Sequence, residues 1–414
     1  MSGFDIKKYE PSDTLYLWWL GNPEHPRLIG ELGLVRLIKG VSLLYDDSWL
    51  ADGFALSEDL PLVKKVFLPV EKNTAVGAID DARPDRWGER VIRVVDKPSR
   101  LAILDYLFYA GDDRFGALGV SLSPTVYVCR NSGVLPVLAN AREIEQLILK
   151  VLAGESIEEH KRRLILPGSS LGGARPKALI STNGVQSILK FNEPGEFNDM
   201  SLIEHATMRL AAKANIRVAS TSVVKVNAGH ALLIKRFDRE QGLRLHAISA
   251  NVALKAAEQS VGYPELAQWL RRFGISKDAL NRTHMKELFR RMVFNILIDN
   301  TDDHEKNHAL IANQHGEFAL SPAFDLLPSG QALGFQQMRV GLQGADSTLE
   351  NALSACNQFG LTLSEANEEV KSVCLVVNSW HKHFIQMGIT GQDLAQLSAQ
   401  IDRPFLKQQR QAWV

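Results

Sequence analysis

Apolar and polar positions alternate with a period of two near the start of the chain and settle into helical spacing towards its end. Thr14 to Leu20 and Arg27 to Val35 read as strands, broken apart by Gly21-Asn22-Pro23. Val41 to Tyr45 predicts a third strand, and Arg86 to Val95 and Ser99 to Tyr109 predict helices. Gly111-Asp112-Asp113 then turns the chain into a short apolar run, Ala117 to Leu122. A further helix is predicted over Ala141 to Leu152, ending at Gly154, and a domain boundary is expected near residue 155.

Strand patterns return in the middle section. Lys177 to Ser181 and Val185 to Phe191 flank Thr182-Asn183-Gly184, and Asn-Gly between two apolar runs is a strong hairpin signal. Met200 to Lys213 carries Leu202, Ile203, Ala206 and Leu210 on one helical face. Thr221 to Val226 and Ala231 to Phe237 predict another strand pair around Asn227-Ala228-Gly229. Beyond about residue 245 the spacing is mostly helical. Glu287 to Ile298 predicts a buried helix, His308 to Ile311 and Glu317 to Leu320 a short hairpin around Gly316, and Ser364 to Gln409 three more helices. The pattern predicts an α+β protein: an N-terminal α/β domain over residues 1–155, then residues 156–414, in which a strand-rich lobe (156–240) precedes a helical lobe (241–414). Nucleotides often bind between two such lobes, although architecture alone does not establish a function.

Composition narrows the class. The 414 residues suffice for two or three domains, and 45% hydrophobic with 23% charged residues is ordinary for a soluble globular protein. Lys plus Arg and Asp plus Glu are 47 each, so the net charge is zero, which argues against a strongly basic nucleic-acid binder. Cys129, Cys356 and Cys374 are scattered and form no CxxC pair, which suits a reducing cytosol and offers neither a disulfide framework nor a thiolate metal site. Met1 to Glu10 is polar, and no run approaches the roughly 18 apolar residues of a membrane span. A soluble cytoplasmic protein is expected.

The densest chemistry lies between Asn300 and Pro328. Asp302 and Asn307 are five residues apart, the spacing of base and metal-binding amide in the protein-kinase catalytic loop, and Asp325 follows in Ala323-Phe-Asp-Leu-Leu-Pro328. Phosphoryl transfer needs such a set: one carboxylate to take the hydroxyl proton or orient the nucleophile, and an amide and a second carboxylate to hold magnesium with hard oxygen ligands. Singly, each Asp reads as a turn or cap residue; the ordered set is far more specific. The same letters contain His304-Glu305-Lys306-Asn307-His308, which matches the zinc-protease HExxH motif. That motif requires a helix, and here polar residues poor for helix precede it and a predicted hairpin follows. His304 therefore reads as part of the kinase-type loop.

Two further features suit a nucleotide. Lys190 sits on the apolar strand Ser187 to Asn192, where a charge suggests a buried target such as phosphates; an edge or snorkelling lysine is the plainer reading. Glu204, fourteen residues on, could pair with it, although Ser201-x-x-Glu204 is also a capping box. Gly168 to Lys177 is the best phosphate-loop candidate, because glycines let backbone N–H groups approach phosphates, but it matches no standard loop motif and reads equally as a plain flexible loop.

Taken together, Ser170-Leu-Gly-Gly-Ala-Arg-Pro-Lys177, Lys235-Arg-Phe-Asp238, Thr301-Asp-Asp-His-Glu-Lys-Asn307 and Ala323-Phe-Asp-Leu-Leu-Pro328 resemble the HipA family of serine/threonine kinase toxins, in the family's order. Leu56-Ser-Glu-Asp-Leu-Pro61, Pro84-Asp-Arg-Trp-Gly88 and Gly111-Asp-Asp-Arg-Phe-Gly-Ala117 extend the resemblance to nearly the whole chain. The resemblance implies a two-lobed protein-kinase-like core behind the N-terminal α/β domain, using ATP and Mg2+. It implies that Asp302 is the catalytic Asp, with His304 in its loop, and that Asn307 and Asp325 bind magnesium. Lys190 would hold ATP phosphates, and Gly172, Gly173 and Lys177 would belong to the phosphate loop. Lys235, Arg236 and Phe237 would form the hinge against adenine, with Asp238 at its end; Lys235 stands where some members carry an acidic residue. Ser170 would be the regulatory autophosphorylation site, with the adjoining Ser169 as the alternative.

The resemblance also implies a protein substrate and a small DNA-binding antitoxin partner, with DNA reached only through the antitoxin and no membrane. Some HipA-type kinases act on aminoacyl-tRNA synthetases, a translation component, but no residue here encodes that choice. Two other functions use the same fold. One is a non-enzymatic co-repressor that binds an antitoxin without chemistry, against which intact Lys190, Asp302, Asn307 and Asp325 argue. The other is a small-molecule kinase.

Overall fold

The computed structural model describes residues 9–130, 134–166 and 173–414. The chain divides into two compact units. The first comprises Met1–Leu189 with Asp238–Ile248, and the second Lys190–Phe237 with Ser249–Val414. Residue 155, where a boundary was expected, falls inside the first unit.

In the first unit, β1 (Thr14–Trp19), β2 (Arg27–Val35), β3 (Gly40–Tyr45), β4 (Val66–Phe67) and β5 (Leu118–Ser121) form one sheet in the order β4-β3-β2-β1-β5. The β1–β2, β2–β3, β3–β4 and β1–β5 pairs are all antiparallel. The register of β1 against β2 shifts between Leu17 and Trp18, and both side chains are consequently buried where strict alternation would bury one. Helix α1 (Asp47–Asp52), capped by Asp46, was not predicted from the pattern. The two predicted helices that follow are shorter than expected. Helix α2 (Arg86–Val91) passes into a π-helical turn, Ile92–Asp96, and α3 (Ile103–Tyr109) starts only after Ala102, whose N–H donates to Asp105. The unit continues with α4 (Ala141–Ala153) and the neighbouring strands β6 (Lys177–Thr182) and β7 (Val185–Phe191), and the last two residues of β7 open the second unit. Asn183 and Gly184 both have positive φ, as the predicted Asn-Gly turn requires. A two-stranded ribbon, β10 (Arg239–Glu240) with β11 (Leu243–Arg244), completes this unit; in chain order it comes after β8 (Thr221–Lys225) and β9 (His230–Lys235) of the second.

The first helix of the second unit is α5 (Met200–Lys213), whose N-cap is Asp199 rather than Ser201. Strands β8 and β9 pair antiparallel as predicted. The short strand β12 (Ala247–Ser249), whose first two residues belong to the first unit, leads into α6 (Ala250–Ala256), α7 (Tyr263–Phe273) and α8 (Leu280–Leu297). Helix α8 starts seven residues before the predicted Glu287. Its Leu288, Phe289, Met292, Val293, Phe294 and Ile296 are all fully buried; burying one such side chain stabilises by about 1.5–3 kcal/mol. The hairpin β13 (Ala309–Ala312) and β14 (Phe318–Leu320) follows, with Leu310 opposite Leu320. Helix α9 (Leu349–Ser354) precedes four helices where three were predicted: α10 (Leu363–Asn378), α11 (Trp380–Gln386), α12 (Gly391–Ile401) and α13 (Pro404–Gln411). The chain breaks at Gly388, which has φ +85°, and again before Pro404, which opens α13. Among the described residues no helix is long and apolar enough to cross a membrane. The expected α+β class is the one formed.

Candidate active site

Helix α8 delivers the chain into the loop that carries Asp302. Asp299 leaves the helix with φ +60°, and Arg403 Nη2 donates to its Oδ1 at 2.5 Å. Ser329 fastens the same loop to the turn after Asp325. Its N–H and Oγ donate to Asp299 O at 3.1 and 2.9 Å, and its Oγ accepts from the Thr301 N–H at 3.2 Å. Asp302 is exposed, yet partial enclosure raises its pKa; the nearby His304 opposes this, and the Asp325 and Asp303 charges add to it. A carboxylate of this kind can accept a proton from a hydroxyl.

Asp303 turns the other way and is 1% exposed. It accepts from the Tyr263 hydroxyl and, at 2.8 Å, from His308 Nε2. Burial alone would raise its pKa, but the His308 charge and the two hydrogen bonds outweigh burial and hold it low. His304 Nδ1 accepts from the Lys306 N–H at 3.2 Å and caps a single 3-10 turn, Glu305–Asn307. His308 lies beyond that turn in extended backbone, so the two histidines of the HExxH letters do not share a helix face. Asn307 is 5% exposed, and its buried Oδ1 has no hydrogen-bond partner among the described residues. An amide oxygen left in this way fits a hard cation that accepts oxygen ligands.

Lys190 stands at the centre of the second group. Its Nζ donates to Glu204 Oε1 at 2.9 Å and to Asp325 Oδ1 at 2.6 Å. Glu204, 1% exposed, is therefore an ion-pair partner and not the second half of a capping box, since Asp199 takes the cap. Burial would lower the Lys190 pKa, but the Asp325 and Glu204 charges overcome it and raise the value, so the ammonium is firmly charged. Asp325 adopts φ +59°, a region that Asp tolerates at a cost and that recurs at functional sites. Two hydrogen bonds set the approach to it: Ala323 N–H to Arg217 O at 2.7 Å and Ala219 N–H to Ala323 O at 2.9 Å. The Phe324 ring packs against Phe237 at 5.5 Å between centroids, joining the predicted hinge to the Asp325 turn. Lys235 is exposed and Arg236 is buried. The second unit thus brings together Lys190, Glu204, Asp325 and Asp302 with its loop.

The remaining predicted residues belong to the first unit. Lys177 is buried, and its Nζ donates to Asp85 Oδ2 at 2.6 Å and to Gly173 O at 3.4 Å. Asp85 also caps α2 by accepting from the Gly88 N–H at 2.8 Å, and Trp87 Nε1 donates to Lys177 O at 2.7 Å. Pro84 to Gly88, a motif of the resemblance with no catalytic role expected, is thus a clamp on the residue that ends the glycine-rich segment. Gly173 has φ +100°, which suits glycine. Asp238 is 3% exposed, and its Oδ2 accepts from the Gly116 N–H at 2.8 Å and from Arg239 Nη1 at 2.9 Å. Gly172, Ser169 and Ser170 lie outside the described residues.

Sequence reasoning missed the Asp85 clamp, the Ser329 tie and the Tyr263–Asp303–His308 cluster. Only Asp85 had a local signal, an Asp at the start of a helical pattern.

Comparison with known proteins adds the family. The HipA-like C-terminal domain matches residues 169–380, and the HipA N-terminal domain matches residues 26–121. A serine/threonine-protein kinase toxin HipA from Shewanella oneidensis is 23% identical over 354 residues, covering 75% of each chain. Among solved structures, HipA in the Shewanella oneidensis MR-1 complex of HipA, HipB and operator DNA superposes with a TM-score of 0.67 at 18% identity, over 96% of this chain and 99% of that one.

Proposed function

Because the chain belongs to the HipA family, we propose that it is an ATP- and magnesium-dependent serine/threonine protein kinase toxin, restrained by its own phosphorylation and by a small DNA-binding antitoxin. The observation that carries the reading is Lys190 held between Glu204 and Asp325, in the same unit as an exposed Asp302 and an Asn307 whose oxygen lacks a partner among the described residues. A lysine, two carboxylates and an amide are the parts phosphoryl transfer uses.

Asp302 orients the substrate hydroxyl and takes its proton, with His304 shaping the turn that follows. Lys190 meets the ATP phosphates. Asn307 and Asp325 would hold magnesium, which when bound neutralises charge on the phosphate oxygens. Lys235, Arg236 and Phe237 form the adenine hinge, ending at Asp238. Gly172, Gly173 and Lys177 belong to the phosphate loop, and Ser170, or failing that Ser169, takes the regulatory phosphate. The substrate is a protein of the cytoplasm. The Shewanella oneidensis complex of HipA, HipB and operator DNA supports an antitoxin that carries this chain to DNA indirectly. By function, residues 1–155 form the N-terminal HipA-type domain and 156–414 the kinase-like domain.

Incubation with γ-labelled ATP and a cell lysate, followed by identification of the labelled protein, tests the reading. Label on serine or threonine of one protein supports it. No transfer to protein by the unsubstituted chain, or label only on small molecules, overturns it.

A further inference from the structure

The proposed reacting pair, Asp302 and Asn307, has an inward-facing counterpart shifted by one residue. Asp303 and His308 are also five apart, and they are joined directly, His308 Nε2 to Asp303 Oδ2 at 2.8 Å. The Tyr263 hydroxyl, on the first residue of α7, donates to the same carboxylate oxygen. Asn295 Nδ2 of α8 donates to that hydroxyl at 3.3 Å, and Asn300 Nδ2 donates to Asn295 Oδ1 at 3.1 Å. The Tyr263 and His308 rings meet edge to face at 5.6 Å. All five residues are at most 2% exposed.

A buried carboxylate with its hydrogen-bonding partners is expensive to assemble, and apolar residues of similar volume would often be as stable. What the polar cluster supplies is a fixed distance. The bond between residues 303 and 308 closes the 304–307 turn, and Tyr263 and Asn295 pin that closure to two helices. Residues 302 and 307 each adjoin one end of it by a single peptide unit, so the closure sets the separation of base and amide. Phosphoryl transfer depends on such positioning, and a displacement of about 1 Å can cost 100-fold.

We propose that Tyr263, Asp303 and His308 are positioning residues: their buried junction holds Asp302 and Asn307 at the separation that phosphoryl transfer requires. This rests on the kinase reading for its consequence, but not for its geometry.

The test uses the full chain and two readouts. Tyr263→Phe removes one donor and keeps the ring. His308→Phe removes the other, and His308→Gln returns an amide donor. Amide hydrogen exchange across residues 300–308 reads the positioning itself, and kcat with its magnesium dependence reads the consequence. In folded Tyr263→Phe, exchange in the loop should quicken on the order of tenfold while α10 stays protected. In the same variant kcat should fall on the order of tenfold, with more magnesium needed and ATP binding without metal unchanged. His308→Gln should recover most of what His308→Phe loses. Folded Tyr263→Phe and His308→Phe with unchanged loop exchange would overturn the proposal, as would quickened exchange with unchanged kcat and magnesium dependence. If the unsubstituted chain transfers no phosphate, the kinase reading fails, and the exchange measurement still decides whether the junction holds the loop.

Discussion

Lys190 Nζ lies 2.6 Å from Asp325 Oδ1, a contact between residues 135 apart in the chain. The lysine therefore neutralises the carboxylate proposed to hold the metal, and magnesium with phosphate would have to share Asp325 with it. Asp325→Ala should abolish the magnesium dependence of ATP binding, because Asp325 would supply a carboxylate ligand that holds the ion. Calorimetry with and without magnesium checks this. Equal ATP affinity in both conditions for both proteins would remove the metal assignment.

Asp302 faces solvent with a raised pKa. Asp302→Asn should fold and bind ATP, yet lose transfer by roughly two or more orders of magnitude, as removal of a general base does. In the unsubstituted protein the rate should fall as pH drops through the Asp302 pKa, above the usual carboxylate value, because only the ionised form accepts the proton. Single-turnover rates across pH check both statements; an Asn variant of normal rate would make Asp302 an ordinary loop residue.

Phosphate on Ser170 would add about −1.5 to −2 charges two residues before Gly172 and Gly173, in the loop proposed to cradle ATP phosphates. Repulsion, or capture of the phosphoserine by Arg175 or Lys177, should draw the loop away and switch the kinase off. The active protein should slowly modify Ser170, with Ser169 as the alternative, and Asp302→Asn should not. Mass spectrometry after incubation with ATP locates the phosphate. Undiminished ATP affinity of the Ser170 phosphoprotein would refute the mechanism.

Asp85 gives the buried Lys177 its counter-charge and caps α2. Asp85→Ala should cost about 3–5 kcal/mol, chiefly by leaving a buried ammonium without that partner. Adding Lys177→Met should restore part of the loss, because it removes the buried charge that has lost its Asp85 ion pair. Denaturant unfolding of the single and double variants checks this, and additive losses would contradict it.

Burial pushes the His246 and His284 pKa values down to about 4 from 6.5. His246 donates to Leu56 O, and His284 Nδ1 accepts from the Leu320 N–H, an acceptor that protonation would destroy. The unfolded chain protonates these rings near pH 6.5, while the folded chain resists until about pH 4. Their contribution to stability is present above pH 6.5 and should be lost as pH falls towards 4. The denaturant midpoint should drop between pH 7.5 and pH 5, and His246→Gln combined with His284→Gln should flatten that limb. A double variant whose profile runs parallel to the unsubstituted one would rule the histidines out.

The sequence alone determined the elements whose signals are local. Helix α5 begins and ends where the apolar spacing predicts, because Leu202, Ile203, Ala206 and Leu210 fall on one face. The β6–β7 turn follows from Asn183-Gly184, since few other residues accept its positive φ. The ordered motifs likewise singled out Asp302 and Asp325 as candidates, and a charge on an apolar strand singled out Lys190. Tertiary structure decided which of two adjacent aspartates faces solvent, because residues 302 and 303 differ only in what packs against them. It also decided the partners of the buried charges. Lys177 meets Asp85 across 92 residues and Lys190 meets Asp325 across 135. Periodicity specifies which side of an element is buried, but a buried charge takes its partner from another part of the chain, and only the packed fold brings that part within reach.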